Sequence, residues 1–119
     1  MERLFVYGTL RRGYWNHGYI AHCRFIGKGL TKEKYAMFCN GIPFVCKEPK
    51  VSRIVGELYE VDEKTLQAID RLEGHPDWYI RELTQVEVEG KTYTAWLYFC
   101  PEAKGVLIES GDYRDCKNF

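Results

Sequence analysis

Short strand-like runs recur along this chain, and they constrain its fold more than any other feature. Two long ones, LTQVEVEG (83–90) and TYTAWLYF (92–99), are joined at Gly90-Lys91, and the second carries apolar or aromatic residues on both faces. Alternating runs separated by a glycine turn predict an antiparallel hairpin. Five other runs with strand character precede the hairpin: residues 3–7, 24–28, 34–39, 42–47 and 53–60.

A single segment carries the signals of a long helix. In VDEKTLQAIDRLEG (61–74), Asp62 is a good N-cap, Glu63 suits the positive N-terminal end, and Gly74 stands where a C′ glycine belongs. One or two further helical turns are expected within residues 15–22. Many strands and one long helix predict an α+β fold, namely a small antiparallel β-barrel or a strongly curled mixed sheet with one main flanking helix.

Length and composition exclude several classes of protein. The 119 residues are expected to form a single domain over residues 1–119. No apolar run reaches the roughly 20 residues that span a membrane, and no signal-peptide core is present, so a cytoplasmic protein without a membrane partner is expected.

Charge is unevenly distributed along the chain, although the formal net charge is zero. Residues 1–50 carry nine Lys or Arg against three Glu, and residues 51–119 carry eight Lys or Arg against fourteen Asp or Glu. The basic half could attract an anionic ligand or RNA, but a compact fold lets the two halves neutralise each other. Because no arginine-aromatic motif of the RNA-recognition type occurs, no nucleic-acid partner is expected.

Cysteine and histidine spacing argues against disulfide-rich and metal-binding proteins. The cysteines are odd in number and contain no C-x-x-C pair, so we expect thiols in a reducing cytoplasm and no zinc ribbon. His17, His22 and His75 lack the spacing of metal ligands, so no metal is expected. The five cysteines are Cys23, Cys39, Cys46, Cys100 and Cys116.

The predicted helix presents a carboxylate on its apolar face. That face consists of Leu66, Ile69 and Leu72. At 100° per residue, Glu73 falls within the apolar arc and Asp70 at its edge. Burial and the negative end of the helix dipole would both raise the pKa of Glu73, which would make it a usable proton shuttle near neutral pH. The alternative is a solvated Glu73, or one paired with Arg71 or Arg81.

The stretch FVYGTLRRG (5–13) ends the first strand in a glycine-bearing loop. A turn of this kind can present consecutive backbone N–H groups to an anion, or to the oxyanion formed when an amide carbonyl is attacked. Gly8 would let the backbone approach a ligand closely, and Thr9 can add a hydroxyl. The loop lacks the G-x-x-x-x-G-K-[ST] pattern of a P-loop. Arg11 is either a contact for a substrate carboxylate or a solvated surface residue.

Together, FVYGTLRRG and AIDRLEGHPDWYIRE (68–82) resemble the γ-glutamylcyclotransferase-like family. The resemblance is strongest to its small branch, which includes γ-glutamylamine cyclotransferase and the AIG2-like proteins. It covers nearly the whole chain. The matching segments are YGTL at Tyr7–Leu10, NH at Asn16-His17, GIP at Gly41–Pro43, VGELYEVDE at 55–63 and SGDYR at 110–114.

This resemblance implies the γ-glutamylcyclotransferase-like fold and a set of site residues. In the family, the Y-G-x-L loop binds the γ-glutamyl group, and a glutamate at the end of the central helix is general base and acid. By position, Glu73 is the catalytic residue, and Tyr79 and Tyr113 are expected to line the substrate pocket. The loop residues carried over are Tyr7, Gly8, Thr9 and Leu10.

The implied activity is the cyclisation of a small γ-glutamyl substrate, without metal or organic cofactor. The substrate's α-amine attacks its own γ-carbonyl and releases 5-oxoproline and a free amine. One alternative is a protein of the same fold that binds or senses γ-glutamyl compounds without catalysis, against which the intact Glu73 speaks. Another is a hydrolase that uses Cys46 or Cys100 with a histidine, although neither cysteine lies in a recognisable nucleophile turn. The leaving amine (lysine, a polyamine, a dipeptide or an antibiotic intermediate) and the oligomeric state do not follow from these residues.

Overall fold

The computed structural model describes residues 1–116. It contains seven strands and one α-helix, together with short 3₁₀ turns at His17–Tyr19 and Tyr113–Asp115. The first of these turns lies within residues 15–22, where one or two helical turns were expected. The elements are β1 (Glu2–Val6), β2 (Arg24–Asn40), β3 (Ile42–Cys46), β4 (Ser52–Val61), α1 (Glu63–Glu73), β5 (Ile80–Val88), β6 (Lys91–Phe99) and β7 (Val106–Ile108).

Five of the strands close into a barrel, which confirms the predicted fold class. Their order is β2-β4-β1-β6-β5, and β5 returns to β2 through the pairs Leu30↔Glu87 and Thr31↔Val86. β3 and β7 pair with the distal half of β2 as additional strands. β1 and β6 are parallel, and the other pairings are antiparallel.

β2 is one strand of 17 residues, where two separate runs were expected. Its register against β4 shifts twice, between Phe25 and Gly27 and between Leu30 and Lys34. Such irregularities bend a strand and increase its local twist. A single strand can therefore pair with β4 and β5 in the barrel and with β3 and β7 beyond it.

The hydrophobic core has two parts, on opposite faces of the same strands. In β1, Phe5 belongs to one cluster, and Leu4 and Val6 belong to the other. The second cluster also contains Leu66 and Ile69, so α1 packs its apolar face against the barrel. Alternate residues of the strands thus fill two apolar clusters, and one of these clusters is the surface against which α1 packs.

α1 begins and ends as the sequence predicts. The carboxylate of Asp62 accepts a hydrogen bond from the N–H of Thr65 at 2.6 Å, and Gly74 ends the helix in the left-handed region with φ of 70°. Of the three residues of the predicted apolar face, Leu66 and Ile69 are buried, whereas Leu72 lies in the last turn and is 37% exposed. Within residues 1–116, no helix has both the length and the apolar character needed to cross a membrane.

The C-terminal segment is joined to β2 by a disulfide between Cys39 and Cys116, whose Cα atoms are 5.9 Å apart. The expectation of free thiols is therefore wrong for these two residues. They are 77 positions apart in sequence, and only the packing of the C-terminal segment against β2 brings them together. Cys23, Cys46 and Cys100 carry free thiols.

Barrel closure predicts a strict requirement for glycine at position 29. A Cβ on Gly29 would overlap the carbonyl oxygen of Glu87, next to the pairing that closes the barrel. We expect Gly29→Ala to lower the free energy of unfolding by about 2 kcal/mol, measured by urea denaturation. The control is Gly18→Ala, because a Cβ on the exposed Gly18 would meet nothing within 4 Å. Equal stability of the two variants would contradict the closure geometry.

Candidate active site

A cavity of about 200 Å³ lies where the loop after β1, the end of α1 and the end of β6 meet. The parallel pairing of β1 with β6 brings the C-terminal ends of these two strands to the same edge of the barrel. Six of the seven residues that the sequence singles out as site residues line this cavity. They are Tyr7, Gly8, Thr9, Leu10, Glu73 and Tyr79.

The loop after β1 leaves a row of backbone donors unused. Its carbonyl groups are engaged, since Gly8 O accepts from Arg11 N–H at 3.0 Å and Thr9 O accepts from Asn16 N–H at 3.0 Å. The N–H groups of Gly8, Thr9 and Leu10 donate to no acceptor within residues 1–116. Consecutive unpaired N–H groups are suited to binding a carboxylate or an oxyanion.

Two residues whose role the sequence did not predict hold this loop in place. The side-chain amide of Asn16 donates to the hydroxyl of Thr9 at 2.9 Å. The Nδ1 atom of His17 lies 2.9 Å from the carbonyl oxygen of Leu10. In the sequence, these two residues are visible only as an Asn-His pair six positions after Leu10. The structure shows that they bind the loop residues and hold the loop in its conformation.

Glycine is required at position 8 for a reason that differs from the expected one. A Cβ on Gly8 would lie 2.6 Å from Cγ of Pro43, which is inside van der Waals contact. The constraint that the structure shows is therefore the close packing of the loop against the Gly41–Pro43 segment.

Arg11 and Tyr113 lie outside the cavity lining. Arg11 is buried, and its guanidinium donates to the Asp112 carboxylate at 2.8 Å. Tyr113, which was expected to line the pocket, instead donates its hydroxyl to the carbonyl of Gly41 at 2.8 Å and packs its ring 5.0 Å from that of Tyr14. The C-terminal segment thus holds the loop in place, because Asp112 binds Arg11 of the loop and Tyr113 binds the carbonyl of Gly41, which directly precedes β3.

Glu73 is half-buried and lies close to three phenols, none of which donates to it. Within residues 1–116, its carboxylate has no hydrogen-bond donor. The three hydroxyls donate elsewhere: Tyr7 to the carbonyl of Tyr98 at 2.6 Å, Tyr79 to the carbonyl of Pro43 at 2.8 Å, and Tyr98 to the carboxylate of Asp70 at 2.6 Å.

Burial without compensation changes the acidity of this carboxyl group. It raises the pKa of Glu73 to about 7. Burial also raises the pKa of Tyr7 and Tyr79, and the nearby charge of Glu73 raises both further. At neutral pH the phenols therefore stay protonated, while Glu73 can take up or release a proton.

Asp70, one turn earlier on the same helix, has the opposite environment. The guanidinium of Arg81 donates to it twice, at 2.8 and 3.1 Å, and Tyr98 donates a third hydrogen bond. Burial alone would raise the pKa of Asp70, but the bonds from Arg81 and Tyr98 outweigh it and lower that pKa. The pKa values of two carboxyl groups on one helix are thus shifted in opposite directions, so that Asp70 stays ionised at neutral pH while Glu73 can exchange a proton.

Within residues 1–116, no group of three or more His, Cys, Asp or Glu side chains is arranged to hold a metal ion. The polar groups in the cavity lining include the loop N–H groups, the Thr9 hydroxyl, the Asn16 amide, the Glu73 carboxyl, and the hydroxyls of three tyrosines whose protons are bound elsewhere. This set can bind an anionic or carbonyl oxygen on one side and move a proton on the other.

Comparisons with known proteins identify relatives of nearly the whole chain. A family model described as gamma-glutamyl cyclotransferase, AIG2-like, matches residues 4–115. A putative gamma-glutamylcyclotransferase of Methanocaldococcus jannaschii is 60% identical over 97% of this chain and 98% of its own length. The gamma-glutamylaminecyclotransferase of Rattus norvegicus is 40% identical over 74% of this chain and 65% of its own length.

Solved structures show the same fold. The crystal structure of an AIG2-like protein from Mus musculus superposes with a TM-score of 0.77 at 36% identity, covering 83% of this chain and 76% of that one. An uncharacterized protein from Pyrococcus horikoshii superposes with a TM-score of 0.78 at 29% identity, covering 97% and 92%. Fold and sequence together define an enzyme of the γ-glutamylcyclotransferase class. The chain belongs to the γ-glutamyl cyclotransferase, AIG2-like family.

The raised pKa of Glu73 predicts a measurable cost in stability. Below pH about 4.5, this group is protonated in both the folded and the unfolded chain, so it has no effect. As the pH rises towards 7, the unfolded chain ionises first, and stability falls until the folded-state pKa is passed. At pH 8 we expect Glu73→Gln to be more stable than the wild type by about 2 kcal/mol, and at pH 4 equal to it.

Urea denaturation at the two pH values measures this difference. Glu109→Gln is the matched control, because Glu109 is an exposed glutamate outside the cavity lining and its substitution should produce no pH-dependent gain. If Glu73→Gln gives no gain at pH 8, the carboxylate is solvated rather than buried.

Proposed function

We propose that this protein is a γ-glutamyl cyclotransferase that acts on γ-glutamyl amines or related γ-glutamyl amides and releases 5-oxoproline and a free amine. The observation that carries the proposal is the pairing, in one cavity, of an uncompensated carboxyl group with a row of unused backbone donors. The name of the rat relative, a gamma-glutamylaminecyclotransferase, supports amines as the leaving groups.

In the first step, the α-amine of the substrate forms a bond to its own γ-carbonyl carbon while Glu73 accepts a proton from that nitrogen. Because attacking and attacked atoms belong to one molecule, correct orientation supplies much of the rate enhancement. The carbonyl oxygen becomes an oxyanion, which the N–H groups of Gly8, Thr9 and Leu10 stabilise.

In the second step, the bond between the γ-carbon and the leaving nitrogen breaks. Protonated Glu73 returns its proton to that nitrogen, so the amine leaves neutral and the carboxylate is regenerated. No water is consumed and no covalent enzyme intermediate forms. A pKa near 7 suits both halves of this cycle, since the group must first accept a proton and then donate it.

The cysteine alternative has weak support. Cys46 and Cys100 are buried, and neither lines the cavity that contains Glu73. Burial raises the pKa of the Cys46 thiol, which disfavours the thiolate that a nucleophilic mechanism needs. A non-catalytic sensor of γ-glutamyl compounds remains the competing function, and turnover measurements separate it from an enzyme.

We expect Glu73→Gln to lower kcat by at least about 10²-fold, because the amide fills a similar volume but cannot carry the proton. Binding of 5-oxoproline, measured by calorimetry, should be retained. In the wild type, kcat should fall as the pH drops below about 7 and Glu73 becomes protonated. Retention of more than about a tenth of wild-type kcat in Glu73→Gln would transfer the role to another residue.

Cyclisation and hydrolysis give different products from the same substrate. A γ-glutamyl alkylamide should yield 5-oxoproline and amine with no glutamate formed first, and its N-acetylated form should not react, because the attacking amine is masked. Mass spectrometry of both reactions distinguishes the mechanisms. Early glutamate, or turnover of the acetylated compound, would indicate hydrolysis, whereas 5-oxoproline binding without any turnover would indicate a sensor.

A further inference from the structure

Exposed apolar side chains are concentrated at the mouth of the Glu73 cavity. Within residues 1–116, nine large hydrophobic side chains are exposed, and four of them line this cavity. Trp78 is 71% exposed and Trp15 is 67% exposed, with Ile42 and Leu72 beside the same opening. Apolar surface that stays in water, clustered around a cavity, marks a place where an apolar ligand is bound.

Trp78 is tied by backbone hydrogen bonds to the end of the helix that carries Glu73. Its N–H donates to the carbonyl of Gly74 at 2.8 Å. The N–H of the following residue, Tyr79, donates to the carbonyl of Glu73 at 3.4 Å. The backbone that carries this indole is therefore fixed relative to the end of the helix, while the ring itself lies largely in solvent.

Trp15 is tied in the same way to the loop that carries the free N–H groups. The next residue, Asn16, is bound to Thr9 through its backbone at 3.0 Å and through its side chain at 2.9 Å. One indole thus belongs to each of the two elements that form the cavity. A tryptophan side chain has only two rotatable bonds, so ordering it against a ligand costs little conformational entropy.

Few charged groups lie in the lining of this cavity. Glu73 is the one carboxylate in the lining, and within residues 1–116 the lining includes no Lys, Arg or His. The amide of Asn16 is already bound to Thr9. Contact at the mouth is therefore made by hydrocarbon and indole rings, and the Lys104 ammonium, 5.8 Å from the centre of the Trp78 ring, disfavours a second cation there.

We infer that the mouth formed by Trp15, Ile42, Leu72 and Trp78 is the subsite for the leaving group, and that it takes the alkyl chain or aromatic ring of an apolar amine. This inference rests on the proposed function. The leaving nitrogen must lie near Glu73 to receive its proton, and Leu72 directly precedes Glu73 in the chain. The rest of the amine then extends past Leu72 towards the indoles and the solvent.

Three conjugates that share the γ-glutamyl group test the subsite: γ-glutamyl-methylamine, γ-glutamyl-n-pentylamine and the γ-glutamyl conjugate of 1,5-diaminopentane. We expect kcat/KM for the pentylamine conjugate to exceed that for the methylamine conjugate about tenfold, less than full burial of four methylene groups would give. The diamine conjugate should be poorer than the pentylamine conjugate, because its hydrated terminal ammonium holds the end of the chain in solvent and away from the indoles. A diamine preferred to pentylamine would overturn the inference in favour of a site for a cation.

Substitution of the indoles assigns the preference to residues. In Trp15→Ala and in Trp78→Ala, the ratio of kcat/KM for pentylamine to that for methylamine should fall at least threefold. Leu83→Ala is the matched control, because Leu83 is 57% exposed on β5 and does not line this cavity, so the ratio should stay at its wild-type value. A ratio that is unchanged in both tryptophan variants would overturn the inference.

Direct binding separates failure of the subsite from failure of the proposed reaction. If none of the conjugates yields 5-oxoproline, the proposed function fails. Calorimetry with the same conjugates then still tests the subsite, since tighter binding of pentylamine than of methylamine supports it without any turnover. Equal affinities, or binding of neither conjugate, would refute the subsite.

Discussion

The parallel pairing of β1 with β6 inside an otherwise antiparallel barrel is the constraint on which the site depends. Leu4 pairs with Trp96, so both strands run towards the same edge and end there together. The hydrogen bond from the Tyr7 hydroxyl to the carbonyl of Tyr98 joins the two ends. An antiparallel neighbour would have placed its opposite end beside the loop. The loop donors and the helix-end carboxyl can share one cavity because this pairing fixes where the loop begins.

The raised pKa of Glu73 depends on the fact that none of the nearby phenols donates a hydrogen bond to it. Asp70 takes three donors and is ionised, whereas the phenols around Glu73 donate to two carbonyls and to Asp70. A single phenol turned towards Glu73 would stabilise its charge and lower its pKa. Asp70 does not line the cavity, but it accepts the hydrogen bond of the Tyr98 hydroxyl and so keeps that donor from lowering the pKa of Glu73.

A site of this kind is a cost to the folded state. Glu73 is half-buried without a hydrogen-bond donor, and Trp15 and Trp78 remain largely in water. The rest of the molecule offsets this cost through barrel closure at Gly29, the buried Arg11–Asp112 ion pair and the disulfide of the C-terminal segment. Stability given up locally for binding or catalysis is the usual trade in functional sites.

Local patterns in the sequence determined the elements and much of the site. The caps of α1, the hairpin at Gly90 and the place of Glu73 on the apolar face all follow from spacing and from residue types, because they depend on neighbours a few positions away. The YGTL and LEG segments identified the family by resemblance. Tertiary structure alone decided which distant residues meet. It placed Arg11 against Asp112, turned Tyr113 away from the cavity, and set Gly8 against Pro43. Each of these contacts joins segments that become neighbours only when the barrel closes, so local sequence patterns carry no information about which of these residues meet.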